Sequence, residues 1–308
     1  MSRKRSRKRP RRTSGETLSF SGNTLRWATG TLFAVLVLLA IIGSVKVRQS
    51  VWGDERFHLE NWHLDVGELP DWVTDEIHDE LVGVRLCAED ERLSLFEPGV
   101  LDRVRAALEG LSWTAAVQIH GIHYPTGEEP GSVVLELRLR RPVAVVERAG
   151  LYYLSDGNGL RLGYSYESSP SEWFAVPEII GLQDGGDLPE EGESWTSRDV
   201  QQGIEVARIL MENRIHADFP RRHIRAIDLT NLHGRIAPRE SEIVLWCEGQ
   251  QLAWGRSPIS AGARSVSVPQ LVANLRYVLS HPETFGGLAL IHLHRKPERL
   301  TGRWLDRG

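Results

Sequence analysis

The chain contains 308 residues, of which 41% are hydrophobic and 25% are charged. This composition is typical of folded soluble domains, the length allows about two of them, and the absence of an internal repeat excludes a repeat protein. The charge is uneven: residues 1–26 carry nine Lys or Arg and one acidic residue, a net +8, so the remainder carries −12 in a chain whose total is −4. A basic tail on an acidic body indicates two compartments or two kinds of partner.

An uncharged segment follows the tail and predicts a membrane anchor. Residues 27–45 read WATGTLFAVLVLLAIIGSV. A helix of this length spans roughly 28 Å, close to the hydrocarbon thickness of about 30 Å. A cleaved signal peptide would have a shorter apolar core and small residues at its cleavage site, and the following GSVKVRQ does not fit that pattern. We therefore predict a retained transmembrane helix at 27–45 rather than a signal peptide or a soluble core helix.

The basic flank predicts the orientation of this helix. The positive charges cluster before the span, whereas only Lys46 and Arg48 follow it closely, so we expect residues 1–26 in the cytoplasm and the bulk of the chain on the other side. The tail would contact anionic lipid headgroups. Basic runs also occur in nucleic-acid-binding and nuclear-import segments. Next to a membrane span, topology and lipid contact explain the run more simply, and no nucleic-acid partner is predicted.

The next segments predict a small α/β module. Residues 46–56 read as a short polar linker, and residues 57–140 follow the order β-α-α-β-β. FHLENWHLDV predicts the first strand, and Val73, Ile77 and Leu81 recur at helical spacing after it. A second helix is bounded by EPG and EGL, and AAVQIHGI and SVVLELRLR then predict two strands. We expect a small sheet with two helices on one side.

Residues 141–308 predict a mostly antiparallel β-domain with flanking helices, so the fold class is α+β. PVAVVERAG and LYYLSDGNGLRL read as a hairpin, with glycines where a turn needs them. VPEIIGL, IRAIDLTN, EIVLWCEGQQLAWG and LALIHLHR read as further strands. SRDVQQGIEVARILMEN and VPQLVANLRYVLSHP have the apolar periodicity of amphipathic helices.

These segments, in this order, resemble the bacterial division protein family FtsQ/DivIB over nearly the whole chain. LSWTAAVQIHG is similar to the family's strand after "lpWV", LRLRRPVAVVERAGLYYLSDGNGLRL to its "PvA" and "vD..G" run, and VPEIIGL to its "lP.i.G". IVLWCEGQQLAWG, LVANLRYVL and ALIHLHRKPERLTGRW resemble its last strands and helix. The chain departs from the family at Leu139 or Arg140, where an acidic residue often stands. It departs again at His292-Leu293-His294, in place of Asp-Leu-Arg, and in lacking the lysine that commonly starts the last helix.

The resemblance implies a division scaffold of the bacterial cytoplasmic (inner) membrane, with one span, a POTRA domain at 57–140 and a β-domain at 141–308. It implies no enzymatic activity and no cofactor. Small bitopic partners of the FtsB and FtsL type would add a strand to the last edge of the β-domain. The implied partner-binding residues are Arg295, Lys296, Arg299, Leu300, Thr301, Gly302, Arg303 and Trp304. A proline at Leu300 is expected to weaken this binding, and the POTRA edge near 57–66 is a second docking candidate.

Few features of the sequence indicate a catalytic function instead. The sequence has no phosphate-binding loop, no G-x-S-x-G and no H-E-x-x-H. One alternative is a membrane-anchored, zinc-dependent exoplasmic hydrolase, because two histidine pairs brought together would provide four nitrogen ligands. Its ligands would be His120, His123, His292 and His294. Another alternative keeps the POTRA resemblance but assigns the chain to secretion or envelope assembly.

Overall fold

The computed structural model describes residues 22–58, 63–84, 93–126, 129, 131–183, 186–259, 265–295, 300 and 302–304. These residues belong to two compact units, residues 1–57 and residues 58–308.

The first unit contains one long helix, α1 (Gly22–Trp52). Within it, Gly30–Trp52 is long and apolar enough to cross a membrane. The helix continues past the predicted span at 27–45 and through residues 46–52 of the segment predicted as a linker, 46–56. Residues 46–52 contain neither glycine nor proline, so nothing in the backbone stops the helix before Gly53.

The second unit begins with a three-stranded sheet and two helices. In chain order these are β1 (His63–Asp65), α2 (Asp75–Val82), α3 (Val100–Glu109), β2 (Thr114–His123) and β3 (Ser132–Leu139). The strand order is β1-β3-β2, with β1 parallel and β2 antiparallel to the central β3. β1 is shorter than the strand predicted at 57–66, of which 59–62 lie outside the described residues.

The two helices of this part bury their apolar faces in different places. Val104 and Leu108 of α3 are fully buried against the three-stranded sheet. Ile77 and Leu81 of α2 instead pack in a cluster with Trp113 and with strands of the larger sheet described next. The sequence periodicity identified both apolar faces, but it contained no information on which surface each would cover.

The remainder of the unit forms a larger sheet of nine strands in the described part of the chain. Its strands are β4 (Pro142–Arg148), β5 (Leu151–Asp156), β6 (Arg161–Tyr166), β7 (Glu178–Ile180), β8 (Ile224–Asp228), β9 (Ile243–Cys247), β10 (Gln250–Gly255), β11 (Leu288–His292) and β12 (Gly302–Trp304). The helices are α4 (Ser171–Phe174), α5 (Arg198–Glu212), α6 (Ile215–Asp218), α7 (Val268–Ser280) and α8 (Pro282–Phe285).

The large sheet is mixed, with the order β12-β11-β10-β9-β8-β7-β4-β5-β6. Five neighbouring pairs are antiparallel and three, β4–β7, β7–β8 and β10–β11, are parallel. Each parallel pair is joined by a long connection, because two parallel neighbours cannot be linked by a tight turn. α5 and α6 lie in the β7–β8 connection, and α7 and α8 lie in the β10–β11 connection. The buried faces of α5 and α7 supply much of the main hydrophobic core.

A shared core joins the two sheets. The boundary predicted after residue 140 falls between β3, in the small sheet, and β4, in the large sheet. The side chain of Trp113, just before β2, crosses this boundary and is fully buried among residues of β5 and β6. Its indole N–H donates to the Glu80 carboxylate at 3.1 Å. Its ring leaves no room at Gly163 of β6, where an added Cβ would lie 2.8 Å from Cε2 of the indole. The two sheets are therefore held together by direct packing as well as by the short β3–β4 connection.

Adding one methyl group at Gly163 tests this joint. Gly163 has a φ of +52° and Gly150, in the β4–β5 turn, has a φ of +80°, but an added Cβ at Gly150 has no atom within 4 Å. Left-handed backbone costs an alanine about 1–2 kcal/mol, and overpacking adds about 1–3 kcal/mol at Gly163 only. We expect Gly163→Ala to lower the free energy of unfolding by about 3 kcal/mol, and Gly150→Ala by about 1 kcal/mol, in urea titrations of the detergent-solubilised chain. Equal losses in the two variants would contradict the close packing of Trp113 on Gly163.

Candidate functional site

The two edges of the nine-stranded sheet differ in what covers them. At the β6 edge, the Arg161 N–H donates to the Glu193 carbonyl at 2.8 Å, and the Arg161 carbonyl accepts from the Gly192 N–H at 3.0 Å. The Gly163 N–H donates to the hydroxyl of Ser112 at 2.8 Å. Backbone groups in the first half of β6 are therefore already engaged, and a further strand cannot pair with them.

The opposite edge is formed by β12. It pairs antiparallel with β11, where Gly302 lies opposite Ile291 and Arg303 opposite Leu290. After an irregularity in the register, Trp304 lies opposite Leu288. No strand among the described residues pairs with the outer side of β12. In an antiparallel strand, alternate residues direct their N–H and C=O groups away from the paired neighbour. The outer side of β12 is therefore a template for an added strand.

The predicted partner-binding residues that the structure describes lie on β12, just before it, or in the turn after β11. Gly302, Arg303 and Trp304 constitute β12, and an added Cβ at Gly302 would lie 2.6 Å from the Leu290 carbonyl oxygen. Leu300 is partly buried against the main core. Arg295 is exposed and ends the turn after β11. Lys296, Arg299 and Thr301 lie outside the described residues, as do the side chains of Arg303 and Trp304.

Leu300 serves the core as well as the edge. Proline at this position would remove an N–H and an apolar contact together, so the substitution suggested by the sequence does not separate binding from folding. Substitutions within β12 are better suited to that purpose.

A buried amide on α7 fixes the turn that leads towards β12, and the sequence interpretation missed it. Asn274 is 2% exposed, and its Nδ2 donates to the carbonyls of Leu293 at 2.7 Å and Arg295 at 2.8 Å. Its Oδ1 accepts from Gln270 at 2.9 Å. The signal in the sequence was an amide residue within the apolar stripe of a helix, because a buried polar side chain in such a stripe needs a partner.

A cavity of about 760 Å³ lies where β9, β10 and β11 reach the same end of the sheet. Arg239, Glu242, Arg256 and His294 contribute to its lining, together with the fully buried side chain of Trp254. The indole N–H of Trp254 and one carboxylate oxygen of Glu242 are buried and have no hydrogen-bond partner. Both signs of charge line this cavity, so its electrostatics do not select one class of ligand.

The four histidines of the zinc alternative are not gathered into one site. His120 on β2 contacts Glu136 of the neighbouring β3 at 2.8 Å, and His123 is on the same strand of the small sheet. His292 ends β11 of the large sheet and His294 lies two residues later, with ring centroids 5.3 Å apart. Burial lowers the pKa of both rings. For His292 the charge of Arg295 is the next cause of the lowered pKa. Among the described residues, no three His, Cys, Asp or Glu side chains are placed to hold a metal ion.

Comparisons with known proteins do not identify the chain. Neither the scan against protein-family models nor the search of curated proteins finds a match. The candidate site therefore rests on its geometry. One sheet edge is partly covered, the other has no covering segment among the described residues, and a buried amide supports the turn after β11.

Removing the Asn274 amide tests how β12 is positioned. Asn274→Ala would leave two backbone carbonyls without their donor, which costs about 1–3 kcal/mol when such groups are buried. We expect faster hydrogen–deuterium exchange in peptides covering residues 288–304, with little change in β4 and β5. Gln270→Ala is the matched control on the same helix, because it removes only the contact to Asn274. Unchanged exchange in Asn274→Ala would contradict a supporting role for this side chain.

Proposed function

We propose that this chain is a non-enzymatic, single-pass scaffold of the bacterial cell-division complex and that it captures small membrane partners by strand addition to β12. The observation that carries the proposal is the difference between the two edges of the large sheet. Backbone groups in the first half of β6 are engaged by residues 192–193 and by Ser112, whereas no described residue other than those of β11 pairs with the backbone of β12. Main-chain hydrogen bonds would provide affinity, and side chains beside the strand would provide specificity.

The N-terminal half supports the same function. One helix is long and apolar enough to cross a membrane, and a strongly basic tail precedes it, which favours a cytoplasmic N-terminus and contact with anionic headgroups. The order β-α-α-β-β of the small module supports its interpretation as a POTRA domain. In this proposal the anchor keeps the module and the large sheet at the outer face of the cytoplasmic membrane, where they meet single-span proteins of the FtsB and FtsL type.

The length of β12 constrains the partner. The described part of β12 has three residues, and a strand rises about 3.3 Å per residue, so this part of the template spans roughly 10 Å. A strand of three or four residues would fill it, and such a short pairing is weak alone. We therefore propose a partner that adds a short strand next to a helix, so that side-chain contacts strengthen the pairing.

Proline substitution inside β12 tests this mechanism. Adjacent residues of an antiparallel strand alternate, so the N–H of either Gly302 or Arg303 faces β11 while the other faces outward. We expect the proline that removes the outward N–H to reduce partner co-purification at least about tenfold. If Arg303 is the outward residue, Arg303→Pro should leave the melting temperature unchanged. Gly302→Pro should lower the melting temperature in either case, because an added Cβ at Gly302 lies 2.6 Å from the Leu290 carbonyl oxygen. The proline that removes the inward N–H should also lower the melting temperature.

The matched control is Arg303→Ala, which removes the side chain but keeps the N–H. Partners would be captured from membranes of the source organism on the full-length chain and identified by mass spectrometry. Undiminished capture of a small single-span protein by both proline variants would exclude strand addition at β12.

A further inference from the structure

A second cavity, of about 320 Å³, lies away from β12, between the start of β4, the segment before β7 and the ends of α5 and α6. Its wall is mostly apolar and comprises Val143, Val176, Pro177, Ala207, Met211 and Ala217. Three nitrogen-bearing side chains complete the lining: Arg141 and Arg214, both exposed, and His216, which is partly buried. The volume is at the lower end of the range of ligand pockets, about 300–1,000 Å³, and suits a ligand the size of one amino-acid residue.

Several nitrogen groups of this cavity have no acceptor among the described residues. No ion pair or side-chain hydrogen bond joins the guanidinium of Arg141 or Arg214 to another described residue. His216 Nδ1 lies 3.4 Å from Nδ1 of His223, whereas its Nε2 is buried without a partner. A buried polar atom without a partner is costly, and a ligand that supplies an acceptor removes that cost.

The charge around the cavity is opposite to that of the body. Residues after 26 carry a net −12, yet residues 214–225 contain four arginines and two histidines against one acid, Asp218. Asp218 is already paired with Arg276 at 2.6 Å. Glu172 supplies the one carboxylate in the lining of the adjoining cavity of about 230 Å³, which shares His216. Local positive potential of this kind attracts anions.

The backbone holds the rim in an uncommon conformation. Ala175 and Arg214 both line the cavity and both have positive φ, +52° and +53°. Such conformations cost a non-glycine residue about 1–2 kcal/mol and concentrate at functional sites. Arg141 and His216 line the same cavity, and the charge of Arg141 contributes, after burial and the neighbouring His223, to lowering the pKa of His216 to about 4.

We propose that this cavity binds the carboxyl-terminal residue of a peptide, with its apolar side chain against the wall and its carboxylate between Arg141, Arg214 and His216. A guanidinium pairs with both oxygens of a carboxylate, and the apolar wall adds affinity that an inorganic anion could not use. Capture of a free carboxyl terminus is a recurring mode of peptide recognition. The site is independent of the proposed role of β12, because it is lined by other elements and needs no strand addition.

Fluorescence anisotropy on the full-length chain in lipid nanodiscs tests the proposal. The probe is fluorescein-Gly-Ser-Gly-Ser-Leu with a free carboxyl terminus. Two matched probes are the same peptide as a C-terminal amide and a version that ends in glycine. We expect saturable binding of the first probe and binding at least about tenfold weaker for the other two.

Variants locate the binding. Arg214→Gln removes one guanidinium, and Ala217→Leu fills the cavity from an exposed position, so each should weaken binding about tenfold without lowering the melting temperature. Arg221→Gln is the matched control, because it removes a charge from the same basic segment outside the lining and should leave affinity within about twofold.

Three results would overturn the proposal. The amide could bind as tightly as the acid, which would remove the carboxylate from recognition. Arg221→Gln could weaken binding as much as Arg214→Gln, which would leave only general electrostatic attraction. Inorganic phosphate could displace the probe as well as N-acetyl-leucine does, which would show an anion site without a role for the apolar wall.

Discussion

The packing of the Trp113 indole on Gly163 is the contact on which the arrangement of the two sheets depends. It buries a large side chain of the small module in the core of the large sheet, and its N–H is satisfied by Glu80. The adjacent Ser112 hydroxyl accepts from the Gly163 N–H. One turn of chain therefore both joins the two sheets and covers part of the β6 edge. A glycine is required at 163 because the ring occupies the space where a side chain would be.

Because the β6 edge of the large sheet is partly covered, the β12 edge is the one at which we propose that a further strand adds. A long sheet with two uncovered edges would pair without selection, and natural proteins avoid this by blocking edges or keeping them short. Here main-chain groups and the Ser112 hydroxyl occupy the first half of β6. β12 has three described residues, and the buried amide of Asn274 supports the turn after β11. The proposed scaffold would thus present one short template at the end of the chain, supported by a body whose two sheets share a core.

The sequence predicted the local elements well and the long-range ones poorly. The periodic segments of α5 and α7 were predicted within a residue or two of their observed bounds, because apolar spacing reports directly on a buried helix face. The parallel pairs of the sheet and the burial of Trp113 on Gly163 could not be read from one sequence, since each depends on which distant segment becomes the neighbour. Asn274 and the cavity beside His216 were missed for a related reason. The carbonyl partners of Asn274 are 19 and 21 positions away, and the cavity is lined by β4, the segment before β7, α5 and α6.

Site-specific photo-crosslinking in membranes tests the central claim, that the chain offers one open sheet edge to its partner. A photo-reactive residue at position 303 of β12 is compared with one at position 165 of β6, both in the full-length chain. The proposed function predicts that position 303 captures a small single-span protein with a coiled-coil segment and that position 165 does not. Capture of that protein at 165, or its capture elsewhere on the chain with none at 303, would contradict strand addition at β12.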